Sequence, residues 1–357
     1  MSTFLVINGM LLVIVCLLLL AEKYLVSYGK CSLTLNGDKH FEVDGGDNLL
    51  NYLTRHKIYI PSACGGKATC GFCKVKVLSG AGDILPTEEV YIDKKESEEG
   101  MRLACQVKAK KDVEIYIPEY LLEAEEFEAE VDILIDLTHD IKLVGLKILN
   151  GKTINFKPGQ YIQFKIPGTD EYRAYSIASP NYIKDRVDLT IRLVPGGLCS
   201  TYVHKALEKG DKVIFTGSFG DFQLQENSKK DIIGIAGGCG MAPVRSIAYS
   251  LAKQGMPRKF FYFFGARTKR DLFFTERFKE MEKEFPNFKY IPALSEPLPD
   301  DKWDGEIGFI TQIVEKYLDK TSEKEAYLCG PPPMIDAATN VLINKGIQLE
   351  DIYYDKF

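Results

Sequence analysis

Residues 61–73 read PSACGGKATCGFC, with three cysteines in one glycine-rich loop, and a fourth, Cys105, stands further on in RLACQ. Cys64, Cys70 and Cys73 fall at C-x5-C-x2-C spacing. Nine cysteines in 357 residues is an odd number in a large chain. With the crowding of three of them, this argues for a reducing compartment and a metal cluster rather than a disulfide framework. Four thiolates are what a [2Fe–2S] cluster takes. Gly65, Gly66 and Gly71 allow the backbone to curl around the inorganic sulfides and aim N–H groups at them. A zinc site built from four cysteines usually presents two close pairs, whereas Cys105 is alone and distant in sequence. Cys16, in an apolar run, and Cys31, near the start of a strand, read as small buried hydrophobes.

Around this loop, short strands at 31–36, 39–43, 73–78 and 112–117 with a helix at 48–56 predict a small α+β domain. The glutamate-rich residues 121–130 read as a solvated connector. Alternating apolar residues from 131 then open an all-β stretch reaching about residue 222, which predicts an antiparallel barrel. Past residue 229, apolar strands at 232–236, 260–265 and 326–329 alternate with helices at 243–254, 275–284 and 333–345, the pattern of a parallel, doubly wound sheet. The expected domain limits are 1–26, 27–122, 123–226 and 227–357.

The first 21 residues carry no charged side chain, and residues 4–21 are almost continuously apolar, about 27 Å of helix at 1.5 Å per residue. No Lys or Arg precedes the run and no A-x-A site follows it, which favours a transmembrane anchor over a cleaved signal. Lys23, Lys30 and Lys39 follow the run, so the positive-inside rule leaves the body of the protein in the cytoplasm. A net charge of −5 with no concentrated basic surface argues against a nucleic-acid partner.

Three motifs carry further chemistry. RAYSIAS at 173–179 offers the Arg173 guanidinium to a pyrophosphate, the Tyr175 ring to an isoalloxazine, and the Ser176 hydroxyl to flavin N5. PGGLCSTYV at 195–203 places Gly197 and Ser200 at a helix start, where backbone N–H groups and a hydroxyl hold phosphate oxygens. GGCGMAP at 237–243 puts Gly237, Gly238, Gly240 and Pro243 between a strand end and a helix, where open α/β sheets bind dinucleotides. It is not the G-x-G-x-x-G fingerprint.

Residues 31–118 resemble the β-grasp [2Fe–2S] ferredoxins, which implies Cys64, Cys70, Cys73 and Cys105 as the cluster ligands. RAYSIAS and PGGLCS in this order resemble the FAD-binding barrel of the ferredoxin-reductase superfamily, in which Arg173, Tyr175, Ser176 and Ser200 sit on the flavin. FFGARTKRDL at 263–272 and YLCGPPPM at 327–334 resemble the superfamily's later nicotinamide-binding segments. That resemblance implies a role for Arg267, places Cys329 and Gly330 at the nicotinamide, and puts Asp355 near the flavin under a C-terminal aromatic, Phe357. It also favours NADH over NADPH, although Arg267, Lys269 and Arg270 are chemically able to meet a 2′-phosphate.

Anchor, ferredoxin, flavin barrel and nicotinamide domain, in that order, resemble the F subunits of the bacterial sodium-translocating NADH:quinone reductases. The resemblance implies a multidomain protein: an N-terminal transmembrane helix, a β-grasp [2Fe–2S] ferredoxin, an antiparallel β-barrel for FAD and a parallel α/β domain for NADH. Electrons would pass from NADH through FAD to the cluster with Ser176, Cys329 and Asp355 at the reaction centre, then to other integral membrane subunits, reaching quinone indirectly. The expected location is the bacterial inner membrane, single-pass. One departure stands out: eleven residues separate Tyr161 from Arg173, where the family is expected to carry an insertion. An anchored reductase feeding an oxygenase is the competing reading, and motifs for three cofactors argue against a non-catalytic module.

Overall fold

The computed structural model describes residues 2–25, 28–319 and 323–356, in two compact units, Met1–Glu123 and Ala124–Phe357. The first opens with helix α1 (Ser2–Leu25), 24 residues long. Its described side chains run from Phe4 to Leu17 and face solvent, Phe4 at 73% and Leu12 at 68% exposure. Among the described residues no helix is long and apolar enough to cross a membrane. Cys16, expected to be buried, is exposed on α1, because an apolar neighbourhood in sequence is not a packed one in space; Cys31 is buried as expected.

Strands β1 (Lys30–Leu35), β2 (Lys39–Asp44), β3 (Lys74–Ser79), β4 (Met101–Leu103) and β5 (Val113–Tyr116) form a sheet in the order β2-β1-β5-β3-β4. β1 and β5 run parallel and the other neighbours antiparallel. The β1–β2 hairpin turns on Asn36 and Gly37, both at positive φ, which is why Asn-Gly stands there. Helix α2 (Leu49–Arg55), capped by the Asn48 side chain, covers the sheet and buries Leu49 and Leu53 against Leu33, Leu35 and Ile115. Short helices α3 (Pro86–Glu89), α4 (Lys94–Glu98) and α5 (Glu119–Leu122) complete the unit.

In the second unit, β6 (Glu125–Asp136), β7 (Ile141–Ile148), β8 (Tyr161–Lys165), β9 (Tyr172–Ser176), β10 (Arg186–Arg192) and β11 (Lys212–Phe219) make an antiparallel sheet ordered β10-β7-β6-β11-β8-β9. A bridge between Ile177 and Leu189 brings its two edges together as a barrel. β6 begins inside the glutamate-rich stretch: Phe127 and Ala129 are buried while the glutamates alternate outward, so residues 125–130 are strand and not connector. β8 and β9 are joined by a tight hairpin in which Ile166 N–H donates to Glu171 C=O, so no insertion separates the two flavin-motif strands. Helix α6 (Leu198–Lys205) follows β10.

The remainder is a six-stranded, wholly parallel sheet of β12 (Asp231–Gly237), β13 (Phe260–Ala266), β14 (Phe288–Leu294), β15 (Glu306–Ile307), β16 (Lys324–Gly330) and β17 (Ile352–Lys356), ordered β15-β14-β13-β12-β16-β17. Helices α7 (Met241–Ala252), α8 (Thr275–Glu284), α9 (Ile310–Tyr317) and α10 (Pro332–Asn344) flank it. Ile141, Phe222 and Leu224 of the barrel half join the core on one face of this sheet. Chain order runs outward from β12 in one direction and resumes at β16 on its other side. The carboxyl ends of β12 and β16 therefore form the switch point at which such sheets bind ligands.

Candidate functional site

The cysteine loop lies just before β3 and owes its path to residues at positive φ: Gly65, Gly66, Ala68 and Gly71. A Cβ at Gly71 would come within 2.6 Å of the Tyr91 ring. Cys105 follows β4, whose Arg102 is buried and forked onto Glu88 at 2.9 and 2.6 Å, while Ala104 N–H donates to Cys73 C=O. The thiols gather in two pairs. Cys70 Sγ donates to Cys64 Sγ at 3.4 Å, and Cys73 donates to Cys105. In each pair the donor thiol lowers the pKa of the sulfur that accepts from it. The Cys70 thiol, with Thr69 and the backbone of Lys67 in support, holds Cys64 down to about 4 against burial. The Cys73 thiol, with Gln106 and the backbone of Ala68 in support, holds Cys105 down to about 7. Their donors, Cys70 and Cys73, are pushed up. Two sulfur pairs suit two irons. Among the described residues no group of three or more His, Cys, Asp or Glu is arranged around a single ion.

On the flavin side, β9 carries Arg173, Tyr175 and Ser176. Arg173 is paired with Glu171 at 2.6 Å, and burial pushes the Tyr175 phenol well up, with Cys199 beside it as hydrogen-bond partner. Gly197 caps α6, and Ser200 Oγ is used within the turn, accepting from Val194 N–H at 3.1 Å. Sequence reading passed over Cys199, which looks like an ordinary core residue, and it is buried at 2%.

On the nicotinamide side, Gly237, Gly238 and Gly240 lead from β12 into α7, with Pro243 in its first turn. Gly240 is obligatory, since a Cβ there would lie 1.9 Å from Cys329 C=O. Gly238, at φ +55, faces Arg192, whose guanidinium nitrogen would be 2.6 Å from a Cβ. Arg192, paired with Asp140 at 3.1 Å, was missed, and its only signal is its place at the end of β10 before the PGG turn. Cys329 is fully buried and its thiol is pushed up by burial. In register it pairs with Asp355 on β17, and Ser176 Oγ donates to Asp355 Oδ2 at 3.5 Å. Burial raises the Asp355 carboxyl to about 6, against the Ser176 hydroxyl. β9, β16 and β17 thus bring Ser176, Cys329 and Asp355 to one place. Gly330, at φ +155, packs against Met334. Arg267 stands apart with its side chain 79% exposed, 3.9 Å from Glu296, and Phe357 lies outside the described residues.

Comparison with known proteins agrees with this division. Residues 33–110 match the 2Fe-2S iron-sulfur cluster binding domain, 128–224 the oxidoreductase FAD-binding domain and 235–340 the oxidoreductase NAD-binding domain. The F subunit of the Na(+)-translocating NADH-quinone reductase of Neisseria meningitidis is 37% identical, with 97% of this chain and 96% of the relative covered. The corresponding F subunit of Serratia proteamaculans is 36% identical over 98% of this chain and 97% of its own. The chain belongs to the F-subunit family of the Na(+)-translocating NADH-quinone reductases. Its cofactors are FAD, a [2Fe–2S] cluster and a nicotinamide dinucleotide. The Neisseria alignment runs over 391 positions against the 357 residues here, so that relative carries segments this chain lacks. Among solved structures, the Amycolatopsis cytochrome P450 reductase GcoB matches at a TM-score of 0.73 and 29% identity, covering 92% of this chain and 98% of its own. A ferredoxin reductase in carbazole 1,9a-dioxygenase matches at 0.71 and 28%, with the same coverage.

Proposed function

We propose that this chain is the NADH-oxidising input subunit of a membrane NADH:quinone reductase of the sodium-translocating type. It passes electrons from NADH through FAD to the [2Fe–2S] cluster and on to integral membrane partners. The observation that carries the reading is a conjunction, in a chain alike to the F subunits along nearly its whole length. Two thiol pairs occur together with a Ser176–Asp355–Cys329 face at the sheet's switch point.

When bound, the flavin supplies hydride acceptance and single-electron release, and the cluster supplies one-electron carriage. The chain supplies placement. Cys64 with Cys70 and Cys73 with Cys105 would each hold one iron, the nearby backbone N–H groups stabilising charge on sulfur. Arg173 and the α6 start around Gly197 and Ser200 would hold the flavin's phosphates, and Tyr175 and Ser176 its ring. The turn Gly237–Gly240 and the N-terminus of α7 would take the dinucleotide pyrophosphate, and Cys329 and Gly330 the nicotinamide.

The 24-residue α1, apolar and solvent-facing from Phe4 to Leu17, supports its role as a single-pass anchor in the bacterial inner membrane. Lys23, Lys30 and Lys39 favour a cytoplasmic body. The expected result is that the full chain purifies from membranes with other integral subunits, whereas a chain lacking residues 1–26 is soluble and keeps both cofactors. Full-length protein that leaves the membrane alone and reduces a soluble oxygenase component would favour the second reading, an anchored oxygenase reductase. The likeness to the P450 and carbazole dioxygenase reductases gives that reading support.

A further inference from the structure

The Gly237–Gly240 turn and the flavin strand β9 belong to different layers of the second unit, yet hydride transfer requires their ligands to meet in a closely defined geometry. Among the contacts that tie one to the other are side chains just inside α7. Arg245 Nη1 donates to Ala178 C=O at 2.7 Å and lies 3.5 Å from Asp188 Oδ2. Ser246 Oγ donates to Ser179 C=O at 2.7 Å. The segment they grip begins two residues after Ser176 and is tied to β10 by Ala178 N–H to Asp188 C=O and Asp188 N–H to Ser179 Oγ.

Arg245 is 9% exposed, and its guanidinium carbon sits 4.7 Å from the ring centres of both Tyr249 and Phe274. Phe274 holds its place with φ +57, a left-handed conformation costly for a bulky residue, so backbone strain is spent where this sandwich closes. Among the described residues Arg245 Nε has no hydrogen-bond partner. A planar guanidinium can stack between two rings and still direct a donor at a backbone carbonyl, which a lysine ammonium cannot.

We infer that Arg245 is a positioning residue for hydride transfer: it registers the dinucleotide turn against the flavin strand through Ala178 and Asp188. This rests on the proposed NADH-to-FAD reading. Misplacement of a reacting pair by about 1 Å costs up to roughly a hundredfold in rate.

The test uses the full chain loaded with both cofactors, comparing wild type with R245K, R245A and S246A. Flavin reduction is followed by stopped flow over a range of NADH, and the NAD–flavin charge-transfer absorbance is recorded alongside. Arg245→Lys keeps the charge but loses the planar stack. It is expected to slow flavin reduction at saturating NADH at least tenfold and weaken the charge-transfer band, with the NADH concentration for half-maximal rate changed less than threefold. Ser246→Ala should show the same pattern at smaller amplitude, and it carries the test if Arg245→Ala does not fold. Unchanged rates and absorbance in R245K and S246A, or losses confined to NADH affinity, would overturn the assignment. Failure of NADH to reduce the wild-type flavin would overturn the functional reading beneath it instead.

Discussion

The cysteine loop and the flavin–nicotinamide face are built in opposite ways. The loop gathers three of its four thiols within ten residues, and its geometry is written into the glycines between them. The face gathers Ser176, Cys329 and Asp355 from three strands, its first and last members 179 positions apart, and each is held by packing that begins elsewhere. A locally encoded site should fail alone when a member is removed, whereas a site assembled from distant strands should be sensitive to the backbone that brings those strands together.

The sharpest break of this comparison is Cys70→Ala. A missing ligand in a closed thiol set should abolish the cluster, seen as loss of bound iron and of its visible absorbance. NADH reduction of the flavin should continue at the parental rate, because the flavin barrel has its own core and shares no ligand with the loop. Loss of flavin reduction in a folded Cys70→Ala protein would mean that the two sites are not built independently.

Next in size is Gly240→Ala. The added methyl would fall 1.9 Å from Cys329 C=O, so the turn or β16 must shift. We expect at least a hundredfold loss of flavin reduction by NADH together with a lower melting temperature. Gly196→Ala is the matched control, at φ +71 with open space around it, and should cost only about 1 kcal/mol with cofactor chemistry retained. Equal effects from the two would show that general loss of stability, rather than close approach at the switch point, explains Gly240.

The same contrast decides what was legible in sequence. The thiol spacing and its glycines identified the cluster loop directly, and the switch from alternating to strand–helix texture located the barrel and the parallel sheet. The strand Glu125–Asp136 was half hidden because glutamates at alternate positions look like a solvated tract until Phe127 and Ala129 are seen turned inward. β14 and β17 went unread, since nothing in YIPAL or IYYDK separates a buried strand from any short apolar run. Ser176 was legible in RAYSIAS as a hydroxyl for the flavin, whereas Asp355 was matched to the flavin only through resemblance, because strand order, which no single sequence prints, is what brings the two together. Cys199 and Arg245 carry no local signal and Arg192 only its place at the end of β10 before the PGG turn; all three matter through contacts from other elements.

The smallest expected effect tests the assembled face by titration. Asp355 is raised from 3.8 to about 6 by burial, the Ser176 hydroxyl pulling the other way. With the folded value above the unfolded one, the folded protein holds the proton more tightly. The carboxyl therefore costs nothing below about pH 4, costs progressively more as pH rises from about 4 to about 6, and reaches a plateau of about 3 kcal/mol above that. Asp355→Asn should then raise the melting temperature at about pH 7.5 and leave it unchanged at about pH 4. Above the folded value the ionised carboxylate accepts the Ser176 O–H, which would leave the serine oxygen to accept from a bound flavin. Below it Ser176 is free to donate elsewhere. Flavin reduction in the parent should accordingly rise through a midpoint near pH 6 by roughly three- to tenfold, the worth of one neutral hydrogen bond. That step should be absent in Asp355→Asn. A step that persists in the variant would assign the titration to another group and leave Asp355 a packing residue at the end of β17.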